Sequence, residues 1–514
     1  MNIIDLVEKN ARFYPHGTAY VEIRPLSKVR REISWMAFYE RTNRLANALL
    51  DRGIGKGQSV FLLGRNSLGW LESYFAVLKT GAWIIPLNFR FTDDDILYCA
   101  QVAKPAAFIF DEEFKERIET IRHSMPATET YIAIEQAHPG DSETLETLIE
   151  SASPVPPECP LRDEEACALY FTSGTTGAPK PVLLSHVSLL CTAINESTNN
   201  GIDHKDSLLM MPPLYHLAIG HLLGVLMVGG KTVLLTERIS PVYIFEAIAR
   251  ERISYLFLLV PWALDMIEAL DKKEIRKESY DLESWRFTQM GAQAIPPSLV
   301  KRLKEHFPHM QYDTTYGLSE SAGPGVIHLG IKNEHKVGAI GRPSLMWDAR
   351  MIDAEGRDVN PGEVGELIVK GNGVMREYYK NPELSDQTIR KGWLYTGDLA
   401  RMDEDGFIFL VDRKKDLVIS GGENIFPAEV EEVILRHPKV HDAAVIGTPD
   451  ERLGEIVTAV IQIVSGETLS KEEIAAYCEE NLPRYKRPRA IHFGAVPRSP
   501  TGKIEKPKIR AKYC

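Results

Sequence analysis

Apolar positions along this chain follow two alternating rhythms. At helical spacing, Phe38, Leu45, Ala48 and Leu49 share one face, with Ser34 placed as a cap and Gly53 as a stop. Short apolar runs at 60–63, 83–87, 106–110, 168–171, 208–211, 232–235, 255–259, 287–290 and 312–315 predict buried strands. Helical patterns at 68–80, 242–251 and 298–307 sit between them. The alternation predicts an α/β fold of βαβ units and largely parallel sheets, with ligand loops at strand C-terminal ends.

After Gly338 the pattern shortens. Many glycines and the brief β-prone runs 366–369 and 407–411 predict a β-rich subdomain. A dense charge cluster, Asp412-Arg413-Lys414-Lys415-Asp416, then separates it from a new unit. There Pro427 suits the first turn of a helix over 428–436, strand patterns follow at 443–446 and 457–463, and Ser470 with Glu473 forms a capping-box signature. The predicted division is an N-terminal domain 1–411, a linker 412–416 and a small α+β domain 417–514.

A chain of 514 residues is too long for one core, consistent with that division. Its formal charge of -11 argues against non-specific nucleic-acid binding. The six cysteines are scattered without close pairs or companion histidines, which weighs against a disulfide framework or structural zinc and suits a reducing compartment. Asp5, Glu8 and Lys9 deny the N-terminus a signal peptide's apolar core. The richest apolar stretches, 222–235 and 253–264, are broken by Gly229-Gly230-Lys231 and by Pro261, and fall short of the roughly 20 residues of a spanning helix. A cytoplasmic enzyme with no transmembrane segment is the expectation, and a homodimer is compatible with it.

Candidate chemistry begins at 170–180, YFTSGTTGAPK. Gly174 and Gly177 permit close backbone approach, Thr172, Ser173, Thr175 and Thr176 carry hydroxyls, and Lys180 adds a cation. Alone, the stretch fits either a polar surface turn or a cradle for a polyphosphate. It is not the P-loop of ordinary NTPases, because two residues rather than four separate its glycines. Further along, Glu320 in DTTYGLSE (313–320) is a carboxylate suited to Mg²⁺, and Tyr316 offers a flat face for a purine. Asp398, ending WLYTGD (393–398), is able to accept both hydroxyls of a ribose, with Arg413 in reach of the same sugar. Each also has a plain reading as a helix-start acid, a turn former or a solvated charge.

Together, and in this order, these stretches resemble the adenylate-forming superfamily of acyl-CoA synthetases, firefly luciferase and peptide-synthetase adenylation domains. The resemblance runs nearly the whole chain, through YFTSGTTGAPK (170–180), TTYGLSE (314–320), GRP (341–343), GELIVKG (365–371), WLYTGD (393–398), DRKKD (412–416), SGGENIFPAEVE (420–431) and PTGK (500–503). It implies two α/β subdomains plus the β-rich one in the large domain, and a mobile small domain. It also implies a two-step reaction: a carboxylic acid attacks ATP to give an acyl-adenylate and pyrophosphate, and the thiol of coenzyme A then displaces AMP.

The roles follow from the same resemblance. Thr172, Ser173, Gly174, Thr175, Thr176, Gly177 and Lys180 would hold the phosphates, with Glu320 on Mg²⁺ and Ser319 at the α-phosphate. Gly291, Ala292, Gln293, Thr315, Tyr316 and Gly317 would line the adenine site, and Asp398 and Arg413 the ribose. Lys503 would bridge the carboxylate and α-phosphate during adenylation. Lys415 would be the hinge about which the small domain turns, bringing Ser420, Gly421, Gly422 and Glu423 to the CoA channel. Pro181 stands where glycine is common, so a stiffer loop exit is expected, and Lys506 stands near a common arginine.

The acid would sit by Tyr215, His216, Gly220, Trp262 and Gly291, near Trp285. The stretch HLAIGHLLG (216–224) is mostly apolar, with Gly220 and Gly224 leaving room, and a buried helix would have the same composition. No aspartate adjoins Tyr215, so an amino acid is not expected; an apolar fatty, aromatic or alicyclic acid is. His216 reads equally as a group beside the carboxylate and as a packed strand-end histidine. Two alternatives stay open: loading of an acyl-carrier protein instead of CoA, and a non-catalytic nucleotide sensor.

Overall fold

A computed structural model describes residues 2–135, 143–172, 179–216, 218–291, 295, 297–328, 333–498 and 504–514. The helices form where periodicity, cap and stop agree. Ser34 Oγ accepts the Ala37 N–H and starts Trp35–Asp51. Ser67 caps Leu68–Thr80, which ends at Gly81 in the left-handed region at φ +77°, where a side chain would be strained.

Two large sheets organise the N-terminal part. The first runs, edge to edge, Arg342–Pro343, Gly323–Ile327, Gln311–Leu318, Phe287–Gly291, Tyr255–Leu259, Ser207–Met210, Lys231–Leu235, Thr18–Arg24 and Val29–Ser34. Its middle is parallel, from Gln311–Leu318 to Thr18–Arg24. The second runs Glu377–Tyr378, Lys180–Ser185, Ala166–Thr172, Trp83–Leu87, Ser59–Leu63, Ala107–Phe110, Thr130–Ala133 and Glu143–Thr144. The main core lies between them: Tyr20, Leu208, Tyr255 and Phe287 from one sheet meet Leu62, Ile84 and Val182 from the other, across helix residues such as Trp35, Trp70 and Leu222. The strand period of two sends Leu256, Leu258 and Met290 to a separate core on the first sheet's outer face.

Two features depart from expectation. The strand Val29–Ser34, rich in charge at Arg30, Arg31 and Glu32, forms an edge hairpin with Thr18–Arg24; its apolar pattern was too weak to predict it, and charge is what a sheet edge tolerates. The strand Ala166–Thr172 pairs antiparallel with Lys180–Ser185, in register Thr172 with Lys180, so both sheets are mixed.

The β-rich subdomain is a third sheet, with Trp393–Met402 flanked by Val364–Gly371, Ile389–Arg390 and Ile408–Arg413. The small domain holds a fourth, centred on Gly454–Ile463, with its own core of Val418, Val430, Ile434, Val445 and Ile461. At Ser470 the hydroxyl accepts the Glu473 N–H, capping Lys471–Asn481.

Candidate active site

The best-defined corner grows from one cross-strand pair. Asp398 on Trp393–Met402 lies opposite Arg413 on Ile408–Arg413. Their side chains meet at 2.7 Å between Arg413 Nε and Asp398 Oδ1. The second oxygen, Oδ2, accepts the hydroxyl of Tyr316, which comes from the far sheet. Asp398 is only 4% exposed, so both its oxygens are held away from water by a cation and a phenol. The phenol is held strongly in its protonated form, first by burial and then by the Asp398 charge. Thr396 steadies the turn: its Oγ1 accepts the Asp398 N–H and donates to the Leu367 carbonyl.

Tyr316 belongs to Gln311–Leu318, which turns back into Gly323–Ile327. The turn is tight. A Cβ on Gly317 would lie 2.1 Å from the Gly323 carbonyl oxygen, so no side chain fits there. Ser321 Oγ accepts the Leu318 N–H and lies 2.7 Å from the Gly323 carbonyl, which aims the half-buried Ser319 and Glu320 outward. Glu320 is fixed at both ends: its carbonyl accepts the Met375 N–H, and its Oε1 accepts the Tyr378 hydroxyl at 2.6 Å. Burial and then the Glu320 charge push the Tyr378 phenol up.

Tyr378 links Glu320 to the glycine-rich stretch. Its strand pairs with Lys180–Ser185, and Lys180 Nζ stands 5.5 Å from the centre of its ring. Pro181 lies within that strand and accepts the Tyr379 N–H on its carbonyl. Thr172 and Lys180 therefore close the base of the loop, while Ser173, Gly174, Thr175, Thr176 and Gly177 lie outside the described residues, as do Ala292, Gln293 and Lys503. Lys415 is exposed at the surface, yet partial desolvation of its ammonium, opposed by Asp416 and aided by the like charges of Arg413, Arg510 and Lys180, lowers its pKa. Four basic side chains thus converge near one place, the arrangement that attracts a polyanion. The sequence reading missed Tyr378, since nothing in Glu377-Tyr378 marks it and it lies 58 residues from Glu320.

Gly291 ends Phe287–Gly291, and a Cβ there would meet the Phe257 ring at 3.3 Å and the Thr315 carbonyl at 3.4 Å. Tyr215 is buried edge-on to Phe89, with its phenol pushed up to about 12 by burial, and its ring centre lies 4.4 Å from that of the half-buried His216, the planes tilted by 48°. Gly220 and Gly224 have another use than leaving room. A Cβ on Gly220 would lie 2.7 Å from Thr192 Cγ2, and one on Gly224 2.5 Å from Glu196 Cβ. Both glycines let Ile219–Val228 press against His186–Asn199, so their space is filled by a neighbouring helix. Trp262 and Trp285 pack into the outer core, on the face of the sheet turned away from those helices. Trp285 precedes the N-terminal end of its strand and donates to Thr288 Oγ1 at 2.9 Å. The family resemblance placed both near the acid; here Trp262 lies on the helix Val260–Asp271 and Trp285 ahead of its strand, and both pack against the outer core.

The linker changes allegiance within three residues. Lys414 pairs with Glu366 at 2.8 Å and its N–H donates to the Gly397 carbonyl, both in the large domain. Asp416 pairs with Arg510 of the terminal helix Lys506–Tyr513, also at 2.8 Å. Lys415 is exposed between these anchors. One tie runs across: Asp412 Oδ2 accepts the Ala428 N–H near the start of Pro427–Leu435. Beyond the linker, Ser420-Gly421-Gly422-Glu423 is a two-residue hairpin with φ +60° and +87° at its glycines, the backbone such a turn requires. That need for positive φ, rather than an open passage, explains the glycine pair. Lys506 is buried against Glu431 at 3.0 Å, holding the small domain together.

Comparison with known proteins places the chain in a family. Residues 7–379 match the model of the AMP-binding enzyme family, and residues 429–503 match that of the AMP-binding enzyme C-terminal domain. The chain is 32% identical to a feruloyl-CoA synthase of Amycolatopsis sp over 512 residues, 98% of each chain. The crystal structure of an anthranilate CoA ligase in complex with anthranoyl-AMP superposes with a TM-score of 0.89 at 26% identity, covering 100% of this chain and 97% of that one. The o-succinylbenzoate CoA synthetase of Bacillus subtilis in complex with ATP and magnesium ion superposes with a TM-score of 0.84 at 25% identity, covering 98% of each.

Proposed function

The chain belongs to the AMP-binding enzyme family and is an AMP-forming acyl-CoA synthetase, and we propose that the corner around Asp398, Tyr316, Arg413 and Glu320 is where it activates its acid. The carrying observation is the Asp398 carboxylate, buried and held by a phenol and a guanidinium at the edge where three sheets meet. A ribose diol donates hydrogen bonds, and a fixed carboxylate accepts them without reorganising. Tyr316 then supplies the face for adenine, beside the side-chain-free edge at Gly291.

Phosphate charge falls to Lys180, Arg413 and the hydroxyls at the base of the 173–178 loop, with Lys503 brought by the small domain. Glu320 fits a hard dication: one carboxylate oxygen is oriented by Tyr378, and no cluster of three or more His, Cys, Asp or Glu occurs among the described residues. Mg²⁺ there takes its remaining ligands from phosphate and water. When bound, it offsets negative charge on the triphosphate. Lys415 serves as the hinge, because its neighbours Lys414 and Asp416 are tied to opposite domains. The Ser420–Glu423 turn then lines the CoA channel. Among the described residues no helix is long and apolar enough to cross a membrane, and we place the reaction in the cytoplasm.

ATP–pyrophosphate exchange with a panel of carboxylic acids tests the reading, with Asp398→Asn beside the parent enzyme. Exchange with at least one acid, lost in Asp398→Asn, supports it. Full exchange in Asp398→Asn would overturn the ribose assignment.

A further inference from the structure

Between the strand Ser207–Met210 and the helix Ile219–Val228, the chain leaves the carboxyl end of the first sheet as Met211-Pro212-Pro213-Leu214-Tyr215-His216. Both flanks of this segment are fixed. The strand pairs in parallel with Lys231–Leu235 and Tyr255–Leu259. The helix is anchored in a buried polar cluster: His221 Nδ1 lies 3.1 Å from Glu196 Oε1, its ring centre lies 3.9 Å from that of Phe257, and Tyr255 beside it donates to Gln289 Oε1. The segment itself has little of its own to hold it. Pro212 and Pro213 carry no N–H. Within it, among the described residues, a single backbone bond forms, from the His216 N–H to the Pro213 carbonyl at 3.3 Å.

The missing bonds come from the other sheet. Asn66 follows the strand Ser59–Leu63 and is buried. Its Nδ2 donates to the Pro212 carbonyl at 2.8 Å, and its Oδ1 accepts the Leu214 N–H at 2.9 Å. One side-chain amide thus pairs with alternate backbone groups as a neighbouring strand would. Turned over, it would meet neither, so the two bonds also fix which end is oxygen. The loop that carries Asn66 is tied down on both sides. The Arg65 N–H donates to Asp111 Oδ2 at 2.6 Å, the Leu68 N–H to Glu22 Oε2 at 2.9 Å, and Ser67 Oγ accepts the Trp70 N–H at 3.1 Å. Arg65 adds a second grip. Its guanidinium, paired with Glu113, stands 5.0 Å from the centre of the Phe89 ring, which packs edge-on against Tyr215 at 5.1 Å.

We infer that Asn66 is a positioning residue for acid activation: by clamping Pro212 and Leu214 it sets Tyr215 and His216 where the carboxylic acid is held. The inference rests on the reading that Tyr215 and His216 adjoin the acid. Asn66 does not touch the acid and acts only through the segment it clamps. Misplacing a group at a reacting centre by about 1 Å is enough to cost about a hundredfold in rate. The two bonds of Asn66 go to this segment and not to the corner around Asp398. Loss of Asn66 should therefore be felt by the acid and not by ATP.

The test is ATP–pyrophosphate exchange with whichever of benzoate, phenylacetate, cinnamate, octanoate or hexadecanoate exchanges fastest in the parent enzyme. It is read as the acid and ATP concentrations that give half-maximal rate. In Asn66→Ala the acid value should rise at least about tenfold, while the ATP value stays within about twofold. Asn66→Asp keeps the acceptor for Leu214 and loses the donor to Pro212. It should move the acid value in the same direction, and it serves if Asn66→Ala does not fold. Because Asn66 acts through His216, the double variant Asn66→Ala, His216→Ala should stay within about twofold of the worse single variant. An unchanged acid value in Asn66→Ala, equal rises for acid and ATP, or additive losses in the double variant would overturn the inference. If His216→Ala raises the acid value in those cases, the reading of the acyl site stands without it. An unchanged acid value in His216→Ala removes that reading and the inference with it. If no carboxylic acid supports exchange, the adenylation reading itself has failed, and the inference falls too.

Discussion

The corner at Asp398 and the cluster at Gln289 are both buried and polar, and both are assembled from distant parts of the chain. They differ in how completely their hydrogen bonds are met. At the corner, each carboxylate oxygen has a partner, one charged and one neutral, and two backbone ladders fix the residues that carry them. At Gln289, the side-chain carbonyl has one partner while both N–H donors of Nε2 have none among the described residues. A closed set of bonds suits a ligand common to every turnover, because nothing has to move for the diol to be received.

The largest expected effect breaks the closed set. Asp398→Ala leaves the Arg413 guanidinium facing a phenol in place of a carboxylate. Asp398 is buried, but the Arg413 side chain keeps 40% of its exposure, so solvent screens the pair and its loss costs less stability than that of a fully buried one. We expect kcat/KM for ATP to drop by roughly a thousandfold, with a lower unfolding midpoint in thermal melts. A melt unchanged from the parent would show that the corner contributes only to binding.

Next is the linker, proposed above as the hinge of the small domain. In Lys415→Pro the restricted backbone should slow thioester formation by about a hundredfold and leave acyl-adenylate formation within a few-fold. Lys503→Ala should do the reverse, losing adenylation while still converting supplied acyl-AMP. Separate single-turnover measurements of the two steps decide; equal loss of both in either variant contradicts the division of labour.

A smaller change separates orientation from charge at Glu320. Tyr378→Phe removes the phenol that orients the carboxylate but keeps the ring beneath Lys180. The Mg²⁺ concentration for half-maximal pyrophosphate exchange should rise by up to about tenfold, in line with the loss of one hydrogen bond to a charged group. An unchanged Mg²⁺ dependence would mean that Tyr378 is there for packing.

The smallest effect reports on the helix behind the Gln289 cluster. His186 opens His186–Asn199, whose later turn carries Glu196, and burial lowers its pKa to about 4. The unfolded chain binds that proton at about 6.5, so between these values the unfolded state holds more protons than the folded one. Its contribution is therefore full above pH 6.5 and lost as pH falls toward 4, by at most about 3 kcal/mol. Melts of His186→Gln beside the parent at pH 7 and 4.5 should show a shallower fall in the variant; parallel falls would assign the acid sensitivity elsewhere.

Much of this was readable in order along the chain. Leu68–Thr80 and Tyr255–Leu259 were predicted to the residue, because local period and stop signals agree there. Asp398, Arg413, Tyr316 and Glu320 were legible as candidates because they stand in compact motifs at turns. Tyr378 was not legible, since a tyrosine in a two-residue strand carries no local signal. Gly220 and Trp262 were misjudged for a related reason: a glycine in an apolar helix and a tryptophan after a strand look alike whether they face a ligand or a neighbouring helix.

By itself, then, the sequence determined what depends on nearest neighbours: the alternating elements, the charged linker and the motif residues that name the chemistry. Tertiary structure alone decided which partners those residues meet. Strand register set Asp398 against Arg413, helix contact through Gly224 set Glu196 beside His221, strand alternation turned Gln289 inward, and the helix Val260–Asp271 carried Trp262 to the outer core. Such pairings join residues far apart in sequence, and burial rather than local preference fixes their energies. That is why the nucleotide motifs are legible in the chain, while the partners of their residues emerge only from the packed core.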